Sequence, residues 1–139
     1  MPDISFPSKG ISFRLSQPRK TKTWLSRIAE EEGRTIESLT YVFVSDSFLS
    51  KLNYEYLRHS TLTDILTFDY SEGKAVIGEI YISVPRVREN ARKYQQPFDT
   101  ELRRVMAHGL LHILGYKDKT SGQSSRMRRK EEACLSLWS

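Results

Sequence analysis

His108-Gly109-Leu110-Leu111-His112-Ile113-Leu114-Gly115-Tyr116-Lys117-Asp118 is the stretch from which the rest of the chain can be read. Leu102, Val105 and Met106 just upstream join Leu110, Leu111 and Leu114 in a broad apolar face at helical spacing. That pattern marks a core helix, capped by Asp99 or Thr100 and stopped by Gly115. His108 and His112 stand four apart on it, so their imidazoles project from one side, one turn apart, and can share a metal ion. A catalytic zinc takes three protein donors and keeps one position open. The helix stop lets the chain fold back, which makes Asp118 the candidate third donor. The competing reading of the two histidines is a hydrogen-bonded pair on a half-buried helix face. One zinc ion per chain is the expected occupant, although nickel, cobalt or iron would accept the same donors. A zinc-peptidase helix carries Glu directly after its first His as general base; here that place is Gly109, which disfavours peptidase chemistry.

Outward from this helix the chain alternates short strands and helices. Ile11, Phe13 and Leu15 alternate with polar residues, which predicts a strand with one buried face. Trp24, Leu25, Ile28 and Ala29 make a helical stripe between Lys20 and Glu32, ended by Gly33. Tyr41-Val42-Phe43-Val44 reads as a buried strand, and Ser45, Asp46 and Ser47 supply capping oxygens for a helix carrying Phe48, Leu49, Leu52 and Tyr56. Ile65-Leu66-Thr67-Phe68, a turn at Ser71-Glu72-Gly73-Lys74 and a second apolar run from Ala75 to Ile82 predict a hairpin. Asp64, just before it, is read as holding backbone amides in a turn. Ser83 and Pro85 suit a helix start, with Pro97 closing that helix off, and a final basic helix runs roughly from Ser124 to Leu137. The resulting fold class is α+β (mixed α/β): a small mixed β-sheet packed with about four to five helices, in one domain spanning residues 1–139.

The opening residues have neither a basic region nor an apolar run typical of a secretory signal, and no stretch is long enough for a membrane span; the expected location is cytoplasmic, with no membrane partner. The single cysteine, Cys134, excludes an internal disulfide and a multi-cysteine zinc cluster. Residues 1–70 carry nine Lys+Arg against nine Asp+Glu, whereas residues 71–139 carry thirteen against eight, so the net charge of +5 sits in the half with both histidines. A polyanionic partner fits that distribution, as does a set of solvated helix faces.

The helix and loop resemble the signature of the YbeY family, His-Gly-x-Leu-His-x-x-Gly-Tyr-Asp-His, met here by His108, Gly109, Leu111, His112, Gly115 and Tyr116, with Lys117-Asp118 in place of Asp-His. The family stretch Leu-Asn-x-x-Tyr-Arg-x-x-Asp-x-Pro-Thr-Asp-Val-Leu-Ser-Phe is matched by Leu52, Asn53, Tyr56, Thr63, Asp64, Ile65, Leu66, Thr67 and Phe68, and Gly78-Glu79-Ile80 resembles its Gly-Asp-Ile. The resemblance implies a zincin-like metal helix and a zinc-dependent, single-strand-specific endoribonuclease. It further implies work in rRNA maturation, namely 16S rRNA 3′ end processing, and in ribosome quality control, with ribosomal RNA, the small ribosomal subunit and its proteins as partners and no DNA. Ungapped alignment puts Asp118 at the family's third metal-binding histidine. With Lys117 taken as an insertion, Lys119 would stand there instead, and a protonated amine cannot ligate. Leu57 occupies the position of a family arginine thought to act in catalysis; Arg58, adjacent, and His59 are the candidate catalytic side chains, with Arg86 a second candidate cation and a helix-end cap the alternative role for His59. Candidate RNA-binding residues are Arg86, Arg88, Arg103 and Arg104, followed by Arg92, Arg126, Arg128 and Arg129, with Tyr116 and Tyr70 as candidate stacking platforms. A non-catalytic ribosome-assembly factor that binds RNA and holds a structural metal is the alternative, favoured by the missing arginine and the altered third donor.

Overall fold

The computed structural model describes residues 2–57 and 64–138. Within them lie β1 (Asp3–Ser5), β2 (Ser8–Lys9), α1 (Pro18–Glu31), β3 (Thr35–Val44), α2 (Asp46–Leu57), β4 (Ile65–Asp69), β5 (Ala75–Ser83), α3 (Val84–Lys93), α4 (Phe98–Ile113) and α5 (Ser121–Ser136). The strands form one mixed sheet in the order β1-β3-β5-β4, with β2 also paired to β3. β3 runs parallel to β1, β2 and β5, while β4 and β5 form the expected antiparallel hairpin, Thr67 opposite Ile80. None of the helices among the described residues is long and apolar enough to cross a membrane.

Alternation along β3 sorts its side chains between two cores. Leu39, Tyr41 and Phe43 join the main core with α1, α4 and buried residues of α3 and α5, whereas Val42 and Val44 meet Leu49 of α2 and Leu66 of β4 on the other face. Helix ends follow local chemistry. Gly33, at φ 72°, lets the Gly33 and Arg34 amides close α1 onto Glu30 and Ala29, a double bond of the Schellman kind. Ser83 accepts the Arg86 amide at the start of α3, and Thr120 with Gln123 forms a reciprocal capping box that starts α5 at Ser121, ahead of the expected Ser124.

Two local expectations are corrected. Ile11, Phe13 and Leu15 are not a strand; they pack as irregular chain against the main core, Phe13 lying 4.9 Å from the Phe43 ring. The reason is topological: β1 and β2 take one edge of β3 and β5 takes the other, so this segment has no central edge left to pair with. α4 starts at Phe98 after Pro97, without a side-chain cap, and Asp99 sits inside its first turn, where a carboxylate favours the positive helix end. α3 ends at Lys93, before Pro97, with Gln95 turning left-handed at φ 54°.

The relation that matters most for function is the close approach of α4 to the hairpin. A Cβ on Gly109 would lie 2.9 Å from a methyl of Ile65 and 3.0 Å from one of Ile80, and a Cβ on Gly78 would lie 2.7 Å from a methyl of Ile113 and 2.8 Å from the Phe68 carbonyl oxygen. Helix and sheet meet here with each glycine against isoleucine side chains of the other element. Gly109→Ala and Gly78→Ala are therefore each expected to lower stability by about 1–3 kcal/mol through overpacking. Urea unfolding reads this as a lower midpoint at unchanged slope, with Gly78→Ala the worse because a backbone carbonyl cannot step aside.

Candidate metal centre

α4 buries Leu102, Val105, Met106, Ala107, Gly109, Leu110, Leu111 and Ile113, and in its second half the partly exposed positions are His108 and His112. Beyond the helix, Gly115 turns the chain at φ 107° and Tyr116 anchors the returning loop by donating its hydroxyl to Glu32 at 2.9 Å, a carboxylate that also binds Lys130 at 2.8 Å. Asp118 is thereby brought against the histidines. His108 Nε2 lies 3.1 Å from His112 Nε2 and 3.3 Å from Asp118 Oδ2, and His112 Nε2 lies 3.4 Å from the same oxygen. Three donors bonded to one zinc at ordinary lengths in tetrahedral geometry would stand about 3.3 Å apart. The three side chains thus already outline one face of such a tetrahedron, and the donor set fits a single divalent ion. Lys119 donates its backbone amide to the Gln123 side chain.

The ligand tautomer is set from behind. Glu131 of α5 accepts the Nδ1 proton of His108 at 2.5 Å, which leaves Nε2 with its lone pair toward Asp118. Glu131 is buried and is itself held by Arg104 at 3.1 Å, whose guanidinium makes a two-pronged pair with buried Glu101. Burial works to raise the Glu131 carboxyl, but the hydrogen bonds and charges of His108 and Arg104 outweigh it and hold the group below its ordinary value. Arg104, expected to meet phosphate, is turned inward as a strut between two glutamates. Nothing in local spacing singled out Glu131 or Glu101, since each reads as one more charge on an amphipathic helix.

The three donors open onto a groove of about 630 Å³ that is also lined by Asp64, Ile65, Leu66, Thr67, Asp69, Ile113 and Lys119. Asp64 belongs to this wall, its Oδ2 accepting from Asn90 Nδ2 at 3.3 Å. Arg58 and His59 lie outside the described residues. The remaining expected RNA contacts are dispersed: Arg86 pairs with Asp46 at 3.2 Å, Arg88 lies over Phe98 at 4.9 Å and Arg103 over Trp138 at 4.5 Å. Arg126 and Lys130 already lie over the Tyr116 ring, leaving it poorly placed to stack a base, whereas Tyr70 is exposed. Burial pushes the Cys134 thiol up to about 11, so it stays protonated at neutral pH.

A pair of imidazoles and a carboxylate opening onto a groove is the layout of mononuclear metal-dependent hydrolases. The chain belongs to the YbeY family: the family model described as Endoribonuclease YbeY matches residues 5–139. Similar proteins named Endoribonuclease YbeY include one from Cytophaga hutchinsonii, 46% identical across 96% of this chain and 94% of its own, and one from Flavobacterium psychrophilum, 43% identical across 92% and 91%. A Thermotoga maritima protein of known solution structure superposes with a TM-score of 0.67 at 28% identity, covering 96% of this chain and 87% of that one.

After dialysis, His108→Ala and His112→Ala are expected to retain no metal, Asp118→Ala to lose part or all, and Lys119→Ala to keep a full equivalent. Glu131→Gln should weaken metal affinity roughly ten- to a hundredfold. Metal analysis and competition with a chromophoric chelator measure both effects.

Proposed function

We propose that this chain is a single-domain, zinc-dependent endoribonuclease that cleaves single-stranded RNA in the cytoplasm, acting in ribosomal RNA maturation at the 3′ end of 16S rRNA and in ribosome quality control. The observation that carries the reading is the triangle of His108, His112 and Asp118 donors, 3.1 to 3.4 Å apart on an open groove, in a chain of the YbeY family. Its relatives are named as endoribonucleases, which supports RNA as the substrate. An ion held by these donors would supply Lewis acidity toward a phosphoryl oxygen and would make a nucleophile available near neutral pH. Glu131 keeps the His108 ring oriented, and the loop pinned by Tyr116 keeps Asp118 in place. Among the described groove residues Lys119 is the cation available to developing negative charge. The openness of the groove supports this reading over a purely structural metal, because structural zinc sites are closed.

Backbone contact with RNA is assigned to exposed arginines outside the groove, Arg126, Arg128 and Arg129 of α5 together with Arg88 and Arg92 of α3. Metal-loaded protein should cleave an unstructured RNA, and chelated protein or His112→Ala should not; no cleavage by the loaded wild type sinks the reading. Affinity for the same RNA should fall steeply with salt as phosphates regain their counterions. Replacing Arg126, Arg128 and Arg129 together with Ser should lower both the affinity and the slope of log affinity against log salt while metal content is unchanged.

A further inference from the structure

Among the described residues, two carboxylates of the groove lie outside the cluster of possible metal donors, Asp64 and Asp69. His108, His112 and Asp118 supply the clustered donors, and Asp64 is outside that cluster. Glu101 and Glu131 are taken by Arg104 and His108, and Asp69 accepts the Ser71 amide at 2.9 Å. Asp64 lines the same groove just ahead of β4, fixed on both sides: its carbonyl accepts the Ser83 amide at 3.0 Å and its carboxyl accepts from Asn90 at 3.3 Å. The helix itself cannot offer a base beside the ligands, because at Gly109 any side chain meets Ile65 and Ile80.

We propose that Asp64 is a catalytic residue of the RNA cleavage reaction, the general base that takes the proton of the attacking water; this rests on the nuclease reading above. The water oxygen forms a new bond to phosphorus, its proton passes to an Asp64 carboxylate oxygen, and the phosphorus–oxygen bond to the leaving nucleotide breaks. The leaving oxygen is protonated from solvent, and Asp64 returns its proton to solvent. No electrons change hands and water is the sole co-reactant. Burial raises the Asp64 carboxyl, a direction that suits a base over a permanently ionised spectator.

Asp64→Asn keeps the size of the side chain and an oxygen for Asn90. It is expected to retain one equivalent of metal and the wild-type thermal midpoint, and to cleave RNA at least roughly a hundredfold more slowly. Removing a carboxylate beside the scissile phosphate should also make the metal-loaded variant bind an uncleavable RNA analogue about fivefold more tightly, a gain that loss of a merely structural turn residue does not give. Cleavage within fivefold of wild type, unchanged or weaker analogue binding, or loss of the metal overturns the assignment. A metal-loaded wild type that leaves RNA intact overturns the nuclease reading itself, and the role of Asp64 falls with it.

Discussion

Everything functional here depends on how tightly α4 is pressed into the sheet. Leu110 and Leu111 are almost wholly buried, and burial of such a side chain is worth about 1.5–3 kcal/mol. That contact requires glycine on both surfaces, Gly109 on the helix and Gly78 on β5, because each faces atoms that leave no room for a Cβ. A helix buried over most of its circumference cannot roll, and so the strip bearing His108 and His112 points in one direction. The candidate donor cluster is thus a consequence of packing before it is a matter of ligand chemistry, and Asp118 joins it because Tyr116 and Glu32 fasten the loop.

Behind the histidines runs a buried polar chain, Glu101 to Arg104 to Glu131 to His108. Taking two carboxylates and a guanidinium out of water carries a desolvation penalty that their mutual attraction offsets only when geometry is good, so such a cluster is weak evidence of stability. Its geometric effect is firmer. With Arg104 neutralising one glutamate, the other presents a net negative charge to the back of His108, fixing the ring and making its free nitrogen a better donor. The arrangement joins α4 to α5, so the last helix of the chain takes part in the site without carrying a ligand.

How much of this was legible in the sequence depends on the range of the interaction. The His108 and His112 pair, the Gly115 stop and Asp118 lie within eleven residues, and helical periodicity plus one turn suffices to bring them together. The hairpin was legible from its turn residues, and the capping box at Thr120 and Gln123 was written in its spacing although the expected start fell at Ser124. Ile11, Phe13 and Leu15 misled because alternation reports a buried face, not a pairing partner, and the neighbouring edges were already occupied. Glu131 and Arg104 were illegible for a different reason: 27 residues separate them, and nothing local distinguishes a charge that will be buried against a partner from one facing water.

The distribution of charge inside and outside the groove orders the events that the site can support. Its described lining holds Asp64, Asp69 and Asp118 against Lys119, whereas Arg126, Arg128 and Arg129 stand exposed on α5. At a separation of 4 Å two like charges near a protein surface repel by about 4 kcal/mol, so a phosphate entering this groove works against its carboxylates. A divalent ion on the three donors reverses that balance at the one place where the phosphate must be polarised. On the proposed function, the exposed arginines would gather an RNA chain with or without the ion, and a phosphate would be drawn down to His108 and His112 once the ion is bound. Binding and positioning would then fall to different charges, the first to arginines on the surface and the second to an ion on the three donors.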